Sequence, residues 1–287
     1  MHKESSKSCV MERFCFVRKL DRGTHGTAYL LSSTDGTNQM LVCKSVSAAC
    51  KGYAEQEIKM LAMLSHIRIT RLIESFSTHS GVSIILEYLN HGTLAETISY
   101  LLSRRHKATS YLLWSVMSQI ADALLYLHHM QVAHRDIKPS NIFVNMIPIG
   151  SQRVLEFKLG DFGLAKMCEH ISSGEVVGTP YYMAPEVISG EVYSNSVDVW
   201  GLGVSLYELS VLGKPFHGNS KDELYKSILR AKLQPSSICC DKNLETLIRK
   251  CLMKTNRISI QTLCRNKNLR LHLQKLDSEL HTSHECV

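Results

Sequence analysis

The sequence predicts an α+β chain in two lobes, a strand-rich first third carrying one helix and a larger helical remainder. Three observations predict it. Short runs of β-branched, aromatic and aliphatic residues, separated by turn signals, occupy the first third of the chain. From Thr93 onward the apolar residues recur with a helical period instead. The composition is that of a folded domain. Hydrophobic residues make up 44% and charged residues 21% of 287 positions, enough to bury a sizeable core without disulfide or metal staples.

Taken in order, strands are expected over Phe14 to Leu20, Thr27 to Leu31, Met40 to Val46 and Val82 to Tyr88, with Asp35-Gly36-Thr37-Asn38 as a turn signal. Residues Tyr53 to Leu64 break the strand pattern, because Ile58, Leu61 and Ala62 fall at i, i+3 and i+4. Arg104-Arg105-His106-Lys107 reads as a solvated loop between helices. In Tyr111 to Met130, the apolar residues Leu113, Val116, Met117, Ile120, Leu124 and Leu127 share one helical face. Asn145 to Arg153 contains Pro148 and Gly150 and reads as a surface loop. Ser196 to Leu212 is apolar nearly all round, which predicts a buried helix. It carries Asp198, and a buried carboxylate needs a partner. Ser278 to Val287 reads as a loose tail. A strand-rich part joined to a helical part leaves a cleft, the usual place for a ligand.

The same residues exclude several classes. No apolar run approaches the length of a membrane span. Met1 to Cys9 is polar and lacks the apolar stretch of a signal peptide. The net charge of +7 is mild and does not argue for nucleic acid. Between Arg249 and Lys275 stand eight Lys/Arg and no acid. A solvated helical face explains them, with a docking patch for an acidic partner as the alternative. The ten cysteines include no C-x-x-C pair and no zinc-finger spacing, so reduced thiols of a cytoplasmic protein are expected, with nuclear or cytoskeletal association as variants of that placement.

Four segments carry chemistry. In Leu20-Asp21-Arg22-Gly23-Thr24-His25-Gly26-Thr27-Ala28, two glycines allow a hairpin to close over a ligand with N–H groups facing phosphate oxygens. In Leu41-Val42-Cys43-Lys44, an ammonium sits in an apolar strand and needs an anion. Glu57 is one candidate and a phosphate another. His134-Arg135-Asp136-Ile137-Lys138-Pro139-Ser140-Asn141 gathers acid, base and amide just after a long amphipathic helix. Asp161-Phe162-Gly163 follows the strand Phe157 to Leu159. An Asp and an Asn offering oxygens to one cleft suit Mg²⁺, which keeps waters and binds few protein ligands.

These segments, in this order, together with Ala184-Pro185-Glu186, resemble the signature set of eukaryotic protein kinases, over residues 14–265. The resemblance implies a bilobal kinase fold. Its small antiparallel sheet and one main helix form the N-lobe over residues 11–90, and the helical C-lobe covers 91–268. Residues 1–10 form an N-terminal tail and 269–287 a basic extension and tail. It implies Mg·ATP as the phosphoryl source, with protein substrates and no nucleic acid or membrane partner. Lys44 is expected to grip the α/β-phosphates and pair with Glu57. Asp136 is expected to orient the substrate hydroxyl, Lys138 to supply positive charge at the γ-phosphoryl, and Asn141 and Asp161 to hold Mg²⁺. Leu20, Gly23, Gly26, Ala28, Val42 and Phe143 are expected around the nucleotide. Backbone groups of Glu87 to Leu89 would meet the adenine edge, beside Leu86. Lys138 and Gly178-Thr179-Pro180 agree with serine/threonine specificity. Asp198 is expected to cap the H-R-D loop, and Glu186 to pair with Arg257. Leu41-Val42-Cys43-Lys44, the run Leu159 to Ala165 and the run Val177 to Met183 are similar to the wording of NIMA-related (Nek) kinases.

Two departures bear on activity. Asp21 stands where the family has its first loop glycine, which places a negative charge near the phosphates. Glu175 stands four positions before Thr179, where NIMA-related kinases carry a phosphorylatable residue. Glu175 either mimics a phosphate by pairing with Arg135 or is a solvated loop acid, with Ser172 or Ser173 the modified residue. The competing class for the whole chain is a pseudokinase, a nucleotide-binding scaffold without turnover.

Overall fold

The structure, a computed structural model, describes residues 13–22, 26–78, 81–233 and 241–284. Contacts divide the chain into two units. The first holds Met1–Ser65, Thr70–Tyr88 and Asp161–Gly163; the second holds His66–Ile69, Leu89–Gly160 and Leu164–Val287.

The first unit is one antiparallel sheet with a helix on it. Strands β1 (Phe14–Arg22), β2 (Thr27–Ser33), β3 (Met40–Ser47), β4 (Leu72–Thr78) and β5 (Gly81–Glu87) run in the order β1-β2-β3-β5-β4. Alternation gives the sheet two different faces. Phe14, Leu41 and Ile85 bury one face with Leu31, Cys43 and Phe76. Val46, Val82 and Ile84 bury the other, against Ala54 of helix α1 (Lys51–Met63). Ala28 pairs with Lys44, Leu30 with Val42 and Val42 with Leu86, so Ala28, Val42, Lys44 and Leu86 all share the helix-bearing face. The four strands read from sequence are present. β4 was not read, and Ala62, one of the three residues of the helical stripe read over α1, is exposed.

The second unit is helical. Helix α2 (Leu94–Ser103) starts at a full capping box between Thr93 and Glu96. Helix α3 (Ser110–His129), capped by Thr109, buries every residue predicted for its apolar face. After the short strand β6 (Val132–Ala133) come β7 (Ile142–Ile149), β8 (Gln152–Leu159) and β9 (Lys166–Met167), then helix α4 (Pro185–Ile188). Helix α5 (Ser196–Val211) is buried nearly all round, as its sequence predicts. Helices α6 (Lys221–Arg230), α7 (Lys242–Cys251), α8 (Ile260–Cys264) and α9 (Lys267–His284) complete the unit.

Two expectations are corrected here. Asn145 to Arg153 is no loop: β7 and β8 stay paired to Ile149↔Gln152, so the segment is the far half of a hairpin. Nor is Ser278 to His284 loose, since α9 runs to His284 and its Leu276 and Leu280 bury against Val154, Ile147 and Ile149 of that hairpin; the rest of the expected tail, 285–287, lies outside the described residues. The helix covers the hairpin's apolar side, and each explains the other. Asp277 of α9 also binds the fully buried Arg68, whose Nη1 donates to Gln119 Oε1 at 2.9 Å. Among the described residues, no helix is long and apolar enough to cross a membrane.

Candidate active site

In the first unit, α1 and β3 bring three charges together. Lys44 Nζ lies 2.7 Å from Glu57 Oε2 and 2.8 Å from Asp161 Oδ1. Glu57 is 1% exposed, and the Lys44 ammonium and the Phe162 backbone N–H both favour its charge there. Burial disfavours the Lys44 charge, but the Glu57 and Asp161 carboxylates outweigh burial and hold the ammonium above the usual lysine range. Burial pushes the Glu57 carboxyl up, opposed by the charge of Lys44. Tyr53, one turn before Glu57, donates its hydroxyl to Asp161 Oδ1 at 3.0 Å. Asp161 itself has φ +62, a left-handed conformation that few non-glycine residues adopt. Gly26 approaches β3 so closely that a Cβ there would stand 2.5 Å from the Ser45 carbonyl oxygen.

In the second unit, Asp198 of α5 builds the loop that carries Asp136. The N–H groups of His134 and Arg135 each donate to its carboxylate at 2.9 Å, and His128 Nε2 lies 3.3 Å away. These charge-assisted bonds fix the loop from beneath. They hold Arg135 at φ +67 and leave Asp136 almost fully buried. Four donors then orient the Asp136 carboxylate. Oδ1 accepts the Thr179 N–H at 3.0 Å and its hydroxyl at 2.8 Å. Oδ2 accepts Lys138 Nζ at 2.6 Å and Asn141 Nδ2 at 3.1 Å. Lys138 Nζ also lies 2.7 Å from Thr179 Oγ1. His134 is a spacer, not a base: its Nε2 faces the Gly160 carbonyl at 3.1 Å and its Nδ1 accepts the Asp136 N–H.

The segment leading to Thr179 is tied down by Glu175. Its Oε2 lies 2.6 Å from Arg135 Nη1, and its Oε1 lies 2.6 Å from Lys166 Nζ and accepts the Ser172 N–H at 2.9 Å. The Lys166 and Ser172 hydrogen bonds, with Arg135 behind them, hold its carboxyl at about 2. Farther on, Arg257 grips Glu186 with both terminal nitrogens, at 2.6 and 2.9 Å, and stacks 5.0 Å over the Trp200 ring. Tyr182, whose phenol is raised by burial and by Glu208, donates to Glu208, which Lys214 neutralises.

The predicted site residues therefore fall into two sets. Lys44, Glu57 and Asp161 meet in the first unit, where half-buried Leu20, Ala28 and Val42 also lie and β5 ends at Glu87. Asp136, Lys138, Asn141 and Thr179 meet in the second, which also holds buried Leu89 and half-buried Phe143. Gly23 lies outside the described residues. Sequence reasoning missed Tyr53, whose i, i+4 spacing to Glu57 was the available signal, and Lys166, which nothing local marks. Of the eight cations between Arg249 and Lys275, Arg249, Arg257 and Lys275 face Glu245, Glu186 and Glu279. Among the described residues, no three His, Cys, Asp or Glu side chains form a metal cluster.

Comparison with known proteins gives a consistent picture. The family model for the protein kinase domain matches residues 14–269. Serine/threonine-protein kinase Nek5 of Homo sapiens is 30% identical over 244 residues, covering 83% of this chain and 33% of that protein. Serine/threonine-protein kinase Nek4 of Mus musculus is 29% identical over 269 residues, covering 91% and 33%. Aurora/IPL1-related protein kinase 2 of Caenorhabditis briggsae is 32% identical over 216 residues, covering 74% and 68%. The chain spans about a third of the length of the two Nek relatives. The likeness to NIMA-related kinases read from the motifs is borne out by these relatives.

Proposed function

The chain belongs to the protein kinase family, and from that premise we propose that it transfers the γ-phosphoryl group of Mg·ATP to serine or threonine hydroxyls of proteins. The observation that carries this reading is the group around Asp136. Thr179 already presents an O–H to Asp136 Oδ1 at 2.8 Å, with the Lys138 ammonium 2.7 Å from the same hydroxyl oxygen. An incoming alcohol entering that position meets a carboxylate that orients its proton and a cation that offsets charge on the phosphoryl oxygens. Phosphoryl transfer asks mainly for such positioning.

Lys44, held charged by Glu57 and Asp161, supports the reading as the residue that grips the α/β-phosphates. The donor set also fits magnesium. Asn141 spends its amide nitrogen on the Asp136 backbone carbonyl and carboxylate, which leaves its oxygen as the group to offer a hard cation. Asp161 offers a carboxylate. These two residues would hold Mg²⁺, which when bound neutralises phosphate charge. Ala28 and Val42, on the face that carries Lys44, with Leu20, Gly23, Gly26, Leu86, Glu87, Leu89 and Phe143, are the proposed nucleotide contacts. The reading places the work in the cytoplasm, where thiols stay reduced.

The test is incubation with Mg·[γ-³²P]ATP and a generic protein substrate, followed by phosphoamino-acid separation. Label on phosphoserine and phosphothreonine, abolished by Asp136→Asn, is the expected result. Nucleotide binding without any transfer would instead make the chain a scaffold.

A further inference from the structure

We propose that Tyr53 is a positioning residue that fixes the Asp161 carboxylate for its cation. The inference rests on the reading of Asp161 given above. Three contacts carry it, all within the first unit. The Tyr53 hydroxyl donates to Asp161 Oδ1 at 3.0 Å. Its ring packs close against Gly163, two residues after Asp161. A Cβ added at Gly163 would stand 1.9 Å from Tyr53 Cε1 and 2.0 Å from Cζ, so only glycine lets the ring seat there. The Lys44 ammonium stands 5.5 Å from the ring centroid, within cation–π range.

Tyr53 and Glu57 are four residues apart on α1 and therefore share a face. From that face Glu57 holds Lys44, Lys44 holds Asp161, and Tyr53 holds Asp161 directly. The carboxylate is thus tied to the helix twice, once through the ammonium and once through the phenol. Such redundancy has a physical purpose. Asp161 sits at φ +62, a strained conformation that persists only where neighbours over-determine it. A phenol is well suited to the task because it is a neutral donor. It fixes the direction of the carboxylate without consuming the negative charge a cation needs, as outer hydrogen-bond partners do for metal ligands generally. Both donors meet on Oδ1, so the phenol holds that oxygen from a second direction, beside the ammonium.

A packing-only role makes a different prediction, and Tyr53→Phe separates the two because it keeps the ring on Gly163 and deletes only the hydroxyl. ADP affinity is measured by calorimetry with and without Mg²⁺, beside the melting temperature, for the full chain and the variant. The expected result is a roughly 10-fold or greater loss of the gain in affinity that Mg²⁺ confers. The metal-free ADP affinity and the melting temperature stay close to those of the parent. An unchanged or larger Mg²⁺ gain in Tyr53→Phe would overturn the proposal, as would equal losses with and without metal. A parent chain whose ADP affinity ignores Mg²⁺ altogether would overturn the kinase reading and this proposal with it, a result distinct from equal gains in both proteins.

Discussion

Replacing Glu175 by Gln keeps the side chain's size and removes its charge. In the parent, one carboxylate pairs with both Arg135 and Lys166, each at 2.6 Å, and takes the Ser172 N–H. Arg135 adjoins Asp136 in the chain, and its Nε also donates to the Leu164 carbonyl at 2.8 Å, so Glu175 fastens the segment before Thr179 to the loop that carries Asp136. The carboxyl is drawn from an ordinary 4.5 to about 2, which at face value is worth ~3 kcal/mol. The side chain is 23% exposed, and solvent screening reduces the figure to roughly 1–2 kcal/mol. Because the folded value lies below the unfolded one, this stabilisation is fully present above the unfolded carboxyl range and is lost as pH falls toward 2. If segment order limits turnover, 1–2 kcal/mol corresponds to about a 5–30-fold loss of rate. The assay is transfer to a generic substrate after exhaustive phosphatase treatment, at neutral pH, for the parent and Glu175→Gln. The parent is expected to retain activity without phosphate on the segment, and the variant to lose it by that factor. An equal rate in both, with equal melting temperatures, would refute the idea that Glu175 does the work of a phosphate.

Other outcomes follow from the same geometry. Asp277→Ala leaves the buried Arg68 guanidinium without its α9 carboxylate; because Glu156 still lies 3.8 Å away, the expected cost in urea unfolding is about 1–3 kcal/mol, and an unchanged midpoint would show that α9 does not depend on this pair. Asp21 is exposed and accepts the adjacent Arg22 N–H; if the proposed nucleotide site is right, Asp21→Gly removes a charge near the phosphates and is expected to tighten nucleotide binding about 5-fold, the effect of ~1 kcal/mol of like-charge repulsion through water. Equal affinities in a titration would remove that electrostatic argument.

Much of this was legible because it is local. The apolar face of α3 repeats with a helical period, and every residue assigned to it is buried. Asp198 stood out as an acid in an all-apolar helix, and it does hold the His134 and Arg135 backbone. β4 was missed because Glu74, Ser75 and Ser77 dilute its apolar alternation. The far half of the β7–β8 hairpin was missed for a non-local reason. Pro148 and Gly150 are turn residues, and what keeps Ile147, Ile149 and Val154 in strands is burial under Leu276 and Leu280, more than a hundred residues later in the chain. The same distance hid α9, whose apolar positions make sense only against that hairpin. Tyr53 looked like an ordinary helix residue because its partner, Asp161, is far away in sequence.

The proposed kinase function requires that Lys44 and Asp136 serve one phosphoryl transfer. Single-turnover rates for Lys44→Met, Asp136→Asn and the double variant test it most directly. Residues acting on the same step are strongly non-additive, so each single change is expected to cost about 100-fold or more and the pair less than about tenfold beyond the worse single variant. Losses that simply multiply in the double variant, or a single variant that keeps full rate, would contradict it.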